Sequence, residues 1–235
     1  MAEKSQNAHA GHRARLRQTY LRGGVESLSD VNRLELLLFY AVPRRDTNAL
    51  AHALLQEFGS FSAVMGADVA RLTKVDGISE NAAVLIQLVG QLSACAERER
   101  AETRSRGILD TTDKCAEYLL PHFFGLRAET VYILCLDGKC KLLACRKLGE
   151  GSINAADIST RKIVEAALHH NAVSVVLAHN HPMGICRPSA EDESTTLRVW
   201  HAVDAVDIQL VDHIIVSGSD YCSMAEAGFF ETFLR

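Results

Sequence analysis

The sequence predicts an α/β protein in two parts, a small all-α domain over residues 1–105 and an α/β sandwich on a mixed sheet over residues 106–235. Three observations predict it. Before position 96 the apolar residues recur at helical spacing. After position 107 helical stretches alternate with short β-rich runs. Between the two lies AERERAETRSRG, 96–107, which is charged, nearly free of large apolar side chains and closed by Gly107, as a domain boundary should be.

In the first part, GHRARLRQTYLR (11–22) carries four arginines and a histidine with no acid. At helical spacing these spread around much of the surface, so the run reads as a solvated face or as a phosphate-contacting arm. DVNRLELLLFYAV is a helix that Pro43 ends. NALAHALLQEFGS is a second, stopped by Gly59. ADVARLTKV, the turn DGIS and ENAAVLIQLVGQLSACA follow. LTKVDGISENAAVLI (72–86) has the pattern of a helix-hairpin-helix, in which backbone N–H groups at a tight turn face a phosphate. The second glycine of that pattern is Ser79 here, whose Cβ would restrict close backbone approach. An ordinary helical hairpin that only packs is the competing reading.

In the second part, TTDKCAEYLLPHFF is helical, and TVYILCLD and KLLACRKL are β-rich runs joined through Gly138. ISTRKIVEAALHHN is an amphipathic helix, VSVVLA a short buried strand, SAEDESTTLRVWHAV a helix and IQLVDHIIVSG strand material.

Bulk properties narrow the function classes. With 48% hydrophobic and 23% charged residues the composition is that of an ordinary globular protein. No apolar run approaches the roughly 18 residues of a spanning helix, and the first residues lack the apolar centre of a signal peptide, so a cytoplasmic protein is expected. Seven cysteines contain no CxxC pair, which argues against a zinc ribbon or thioredoxin-like site and for buried reduced thiols. Residues 1–105 carry 13 Lys and Arg against 12 Asp and Glu, and residues 106–235 carry 12 against 17. Within the first 45 residues the balance is 8 against 4, a mild hint of an anionic partner.

The chemistry concentrates in LAHNHPMGICRPSAEDEST, 177–195. If the strand VSVVLA continues into HNH, His179 and His181 project to one side and Asn180 to the other. Two imidazoles on one face at a strand end are most of a zinc site. Asp192 lies eleven residues after His181, across a loop containing Gly and Pro, and is a candidate third ligand. Ser189-Ala-Glu-Asp192 also resembles a capping box, which would give Asp192 a purely structural role. The two readings are compatible, because a capped helix is a rigid support for a ligand. His213, after LVD, reads as a satisfied core histidine that can also support the site.

The pattern H-x-H-P, six residues, S-x-x-D resembles the signature of the JAMM/MPN+ metalloproteases, with His179, His181, Ser189 and Asp192 in register. The surrounding segments resemble the bacterial RadC family over nearly the whole chain: GHRARLRQTYLRGG, RLELLLFYAVPRRDTNALAHALL, LTKVDGIS, HNHP, PSAED and LVDHIIVSG. The resemblance implies a JAMM/MPN-like, cytidine-deaminase-like sandwich behind the helix-hairpin-helix-like domain. It implies one zinc per chain, held by His179, His181, Asp192 and a water, in a hydrolase of amide or isopeptide bonds acting on a peptide or protein. It further implies a glutamate near the start of the first strand as general base, which selects Glu129, with Glu150 as the alternative, and Ser189 as a hydrogen-bond donor to the oxyanion. Weak, sequence-independent DNA contact through residues 1–105 is implied as well, and a non-enzymatic DNA-binding accessory module is the competing function. Two places depart from the family: Met183-Gly184 follows HNHP, and Thr160-Arg161-Lys162 stands where Pro-Arg-Glu is expected. A zinc nucleobase deaminase is disfavoured, since no PCxxC follows the histidines. The letters HNH do not make an HNH nuclease, whose named residues are not consecutive.

Overall fold

The computed structural model describes residues 2–43, 45–105, 107–151, 159–182 and 184–232; Met183 lies outside them. The chain divides into two compact units, residues 1–93 and 94–235.

The first unit is helical. Its elements are α1 (Ala2–Gly23), α2 (Asp30–Ala41), α3 (Asn48–Phe58), α4 (Phe61–Met65), α5 (Val69–Leu72) and the start of α6 (Glu80–Ser105). The segment 96–105 is therefore helix, continuous with ENAAVLIQ, and the division between units falls inside α6. Leu34, Leu38, Leu54, Leu72 and Ile86 form the centre of the core. Ser29 caps α2, and Gly59 ends α3 at φ +83°. Two polar devices fasten α1 to α2. Buried Glu35 accepts from His12 at 2.9 Å and from Asn48 at 3.2 Å. The Arg13 guanidinium donates to the carbonyls of Val42 and Arg45 at 2.8 and 2.7 Å, just beyond the end of α2.

At the hairpin, the left-handed backbone falls on Gly77 (φ +83°) and not on Ser79. A Cβ on Gly77 would be strained at this torsion and would also meet Leu50 Cδ2 at 2.7 Å, so that side chain would have to shift. Ser79 instead caps α6, its Oγ accepting from Ala82 N at 3.3 Å.

The second unit contains α7 (Thr112–Phe123), β1 (Thr130–Leu136), β2 (Leu142–Glu150), α8 (Thr160–His169), β3 (Ser174–Asn180), α9 (Ala190–Asp204), β4 (Gln209–Ser217) and β5 (Asp220–Ser223). The five strands run in the order β2-β1-β3-β4-β5. Only β3 and β4 are parallel, joined by the α9 crossover, so the sheet is mixed. The predicted α/β sandwich is observed.

Strand alternation sorts the side chains into two cores. Leu134, Leu136, Val176, Ala178, Ile214 and Val216 pack with Leu119 and Phe123 of α7. Val131, Ile133, Val175, Leu177 and Leu210 pack with Ile163 of α8 and Val199 of α9. His179 continues the second set, which aims it at the face that α9 covers. Asp137 closes the β1–β2 turn by accepting from Lys139 N and Lys141 N, and Cys140 takes the left-handed position in place of Gly138. Cys115 and Cys135 are buried, and burial pushes their thiols up to about 12 and about 11; Cys140 and Cys145 are only half-buried. Among the described residues, no helix is long and apolar enough to cross a membrane.

Candidate metal centre

The site forms where the central strand β3 leaves the sheet. His181 follows the last strand residue, and its N–H still donates to Val216 O at 2.7 Å, so the extended backbone persists through the HNH segment. That places both imidazoles on one face, as the period of two requires. The returning loop is held from both sides. Ser217 Oγ donates to Gly184 O at 2.8 Å, and His181 Nδ1 lies 3.0 Å from Ile185 O. Then Ser189 starts α9.

The first turn of α9 resolves the competition between cap and ligand. Ser189 Oγ accepts from Asp192 N at 3.1 Å, and the Asp192 carboxylate accepts from Ser189 N at 2.8 Å, which completes a capping box. The Ser189 hydroxyl also donates to Asp192 Oδ2 at 2.7 Å. So anchored, the same carboxylate faces the histidines. His179 Nε2 stands 3.1 Å from Asp192 Oδ1, His181 Nε2 stands 3.5 Å from Asp192 Oδ2, and the two Nε2 atoms are 2.9 Å apart. Cap and convergence coexist in one residue.

These separations suit a tetrahedral ion. Ligands bound at about 2.0–2.1 Å sit roughly 3.3 Å from one another. The donor chemistry agrees. A carbonyl only accepts, so the contact with Ile185 O puts a proton on His181 Nδ1 and leaves the Nε2 lone pair of the neutral ring facing the other two groups. Lone pairs and a carboxylate gathered at one point call for a cation. His179, His181 and Asp192 are the residues that could hold the metal.

The remaining expected residues fall in different places. Glu129 immediately precedes β1 and is half-buried. Val131 pairs with His179 as the last pair of the β1–β3 ladder, and Glu129 lies two residues before it. Glu150 ends β2, on the far side of β1 from the histidines, and its exposed carboxylate pairs with Lys147. Arg161 is exposed and paired with Glu165 at 2.7 Å.

Asn180 and Thr196 have roles that the sequence did not assign, and His213 one that it named beside core packing. Asn180 Oδ1 accepts from Thr130 N at 2.8 Å while its Nδ2 donates to Ala128 O at 3.3 Å, so one side chain brackets the backbone of Glu129. His213 is 1% exposed, as a core histidine should be, yet its Nε2 lies 2.8 Å from His179 Nδ1. Its Nδ1 lies 2.6 Å from Thr196 Oγ1. Burial, with His179 alongside, holds His213 well below the ordinary histidine value, so its ring is neutral. A bulge aims it. Val175 pairs with Leu210 but Val176 with Asp212, and the extra residue rephases β4 so that His213 shares a face with Leu210 and His179. Asp212 consequently turns to the α7 face, where Ser223 Oγ, Ala225 N and Thr112 Oγ1 surround it.

The family model for RadC-like JAB domains matches residues 109–229, the stretch that contains the whole cluster. A UPF0758 protein of Ruegeria pomeroyi is 33% identical over 218 residues, covering 93% of this chain and 96% of its own length. A UPF0758 protein of Vibrio cholerae serotype O1 is 36% identical over 214 residues, covering 91% and 94%.

Proposed function

The chain belongs to the RadC-like JAB domain family, and from that premise we propose that it is a zinc-dependent hydrolase of amide or isopeptide bonds, acting on a peptide or protein in the cytoplasm. One observation carries the reading: two histidine rings and the Asp192 carboxylate converge within 4.8 Å, three protein ligands being the complement of catalytic zinc sites, which keep a fourth position open. A zinc ion bound there supplies Lewis acidity and lowers the pKa of water to about 7.

The chain's own groups do the rest. Glu129 takes the proton of the attacking water and returns it to the leaving amine. The Asn180 bracket around its backbone, beside the Val131–His179 pair, supports it over Glu150, which lies beyond β1 and is paired with Lys147 of its own strand. Ser189 donates its hydroxyl to the developing oxyanion. To do so the hydrogen turns away from Asp192 Oδ2, while the cap bond from Asp192 N survives because it uses an oxygen lone pair.

Purified protein is expected to hold about one zinc per chain. His181→Ala should lose most of it with an unchanged circular dichroism spectrum, and full retention would overturn the ligand assignment. Glu129→Gln should keep zinc and fold but abolish hydrolysis of a responsive peptide or isopeptide substrate. Undiminished turnover would remove Glu129 from the chemistry.

A second reading, weak sequence-independent contact with DNA, is favoured by the exposed Arg15, Arg17 and Arg22 on α1. Arg13 is spent on backbone carbonyls, and the exposed Asp76 and Glu80 flank the hairpin, so affinity should be low. The full chain should bind duplex DNA in roughly the 10⁻⁴–10⁻⁶ M range and release it as salt rises. No binding at low salt removes this reading and leaves the hydrolase untouched.

A further inference from the structure

We infer that His213 and Thr196 are positioning residues that lock His179 in the one tautomer able to bind a metal, through hydrogen bonds that all run one way. The inference rests on the zinc reading for its purpose but not for its geometry. The direction is set at the far end. Thr196 Oγ1 lies 2.6 Å from the carbonyl of Asp192, one turn earlier on α9, and a carbonyl can only accept. Met224 Sδ, 3.4 Å away, is a weak and more distant acceptor, so the single hydroxyl hydrogen points at Asp192 O. Thr196 Oγ1 must then accept from His213, 2.6 Å away, so the His213 proton sits on Nδ1. A neutral ring has only one N–H, which leaves His213 Nε2 as an acceptor. Its neighbour at 2.8 Å is His179 Nδ1, which must donate. The lone pair of His179 is thereby delivered to Nε2, the atom that meets His181 and Asp192.

His181 reaches the same state by a shorter route, through Ile185 O. Both ligand rings are thus set by backbone carbonyls, one directly and one through two buried side chains. The longer path begins at Asp192, whose side chain is itself the third donor. The relay closes on the residue that shares the site, so rotation of either group disturbs both.

The test uses the full-length chain free of metal, where nitrogen-15 imidazole spectra report tautomers independently of zinc. In the native sequence His179 should give the Nδ1–H pattern. Thr196→Val removes the hydroxyl while leaving all three metal-facing side chains in place, and frees the His213 proton to move to Nε2. His179 should then populate the Nε2–H form, and zinc affinity measured by competition with a chelator should fall about 10-fold, within the range for lost outer partners. Thr196→Ser should restore both. A valine variant with the native tautomer and native affinity overturns the relay. If that variant does not fold, His213→Gln and His213→Leu replace it. Glutamine keeps an acceptor for His179 Nδ1–H and should hold the tautomer, leucine should lose it, and equal spectra from the two overturn the inference. A native chain that shows the tautomer but binds no zinc would sink the hydrolase and leave the relay standing.

Discussion

Two helix starts in this molecule use the same device with different consequences. At the hairpin of the first unit, Ser79 caps α6 through the N–H of Ala82. In the second unit, Ser189 caps α9 through the N–H of Asp192. In each case the serine is the N-cap and its partner is the third helical residue. At α6 that residue is a buried alanine inside the core, and the turn before it is fixed by Gly77 against Leu50. At α9 it is an aspartate whose carboxylate completes the cap and faces two histidines from a neighbouring strand. Capping alone makes a rigid turn. A site needs a second element that delivers donors to the same point.

The comparison can be broken in graded ways. The largest expected effect is that of Asp192→Ala, which removes one of the three converging groups and half of the capping box together. Zinc affinity should fall beyond the roughly 10–100-fold typical of a lost outer-shell partner, as read by chelator competition, and near-native affinity would return Asp192 to a purely structural role. Next is Gly77→Ala in the hairpin. A Cβ at φ +83° and 2.7 Å from Leu50 Cδ2 should cost about 1–3 kcal/mol in urea unfolding, with zinc content unchanged. A loss of zinc there would mean the two starts are not independent. The smallest effect sharpens the contrast: Ser79→Ala and Ser189→Ala should each cost about 1 kcal/mol as lost caps, but only the second should also weaken zinc binding. Equal zinc affinities would mean the Ser189 bonds do not orient the carboxylate. Ser79→Gly should cost only a few tenths of a kcal/mol.

Much of the site is legible in the sequence because its signals are local. A period of two carries His179 and His181 to one face, and a serine three residues before an acid announces a capped helix. The contributions of Asn180 and His213 are not local. Asn180 acts on the backbone of a strand fifty positions earlier, and nothing in HNH names that partner. His213 sits in IQLVDHIIV, where plain alternation from Leu210 would send it to the face opposite His179. The bulge in β4 reverses that phase.

What the sequence by itself determined is therefore the order of helices and strands, the cap at Ser189, and the three donors at 179, 181 and 192, all set by hydrophobic period and by contacts within a few residues. The tertiary structure decided which other groups those donors meet. Strand pairing brought the start of β1 beside His179 and left Glu150 beyond β1. A single extra residue in β4 turned His213 from a buried polar group needing satisfaction into the partner of His179. The reason is that register and bulges minimise unpaired backbone over the whole sheet, a condition no short stretch of sequence contains.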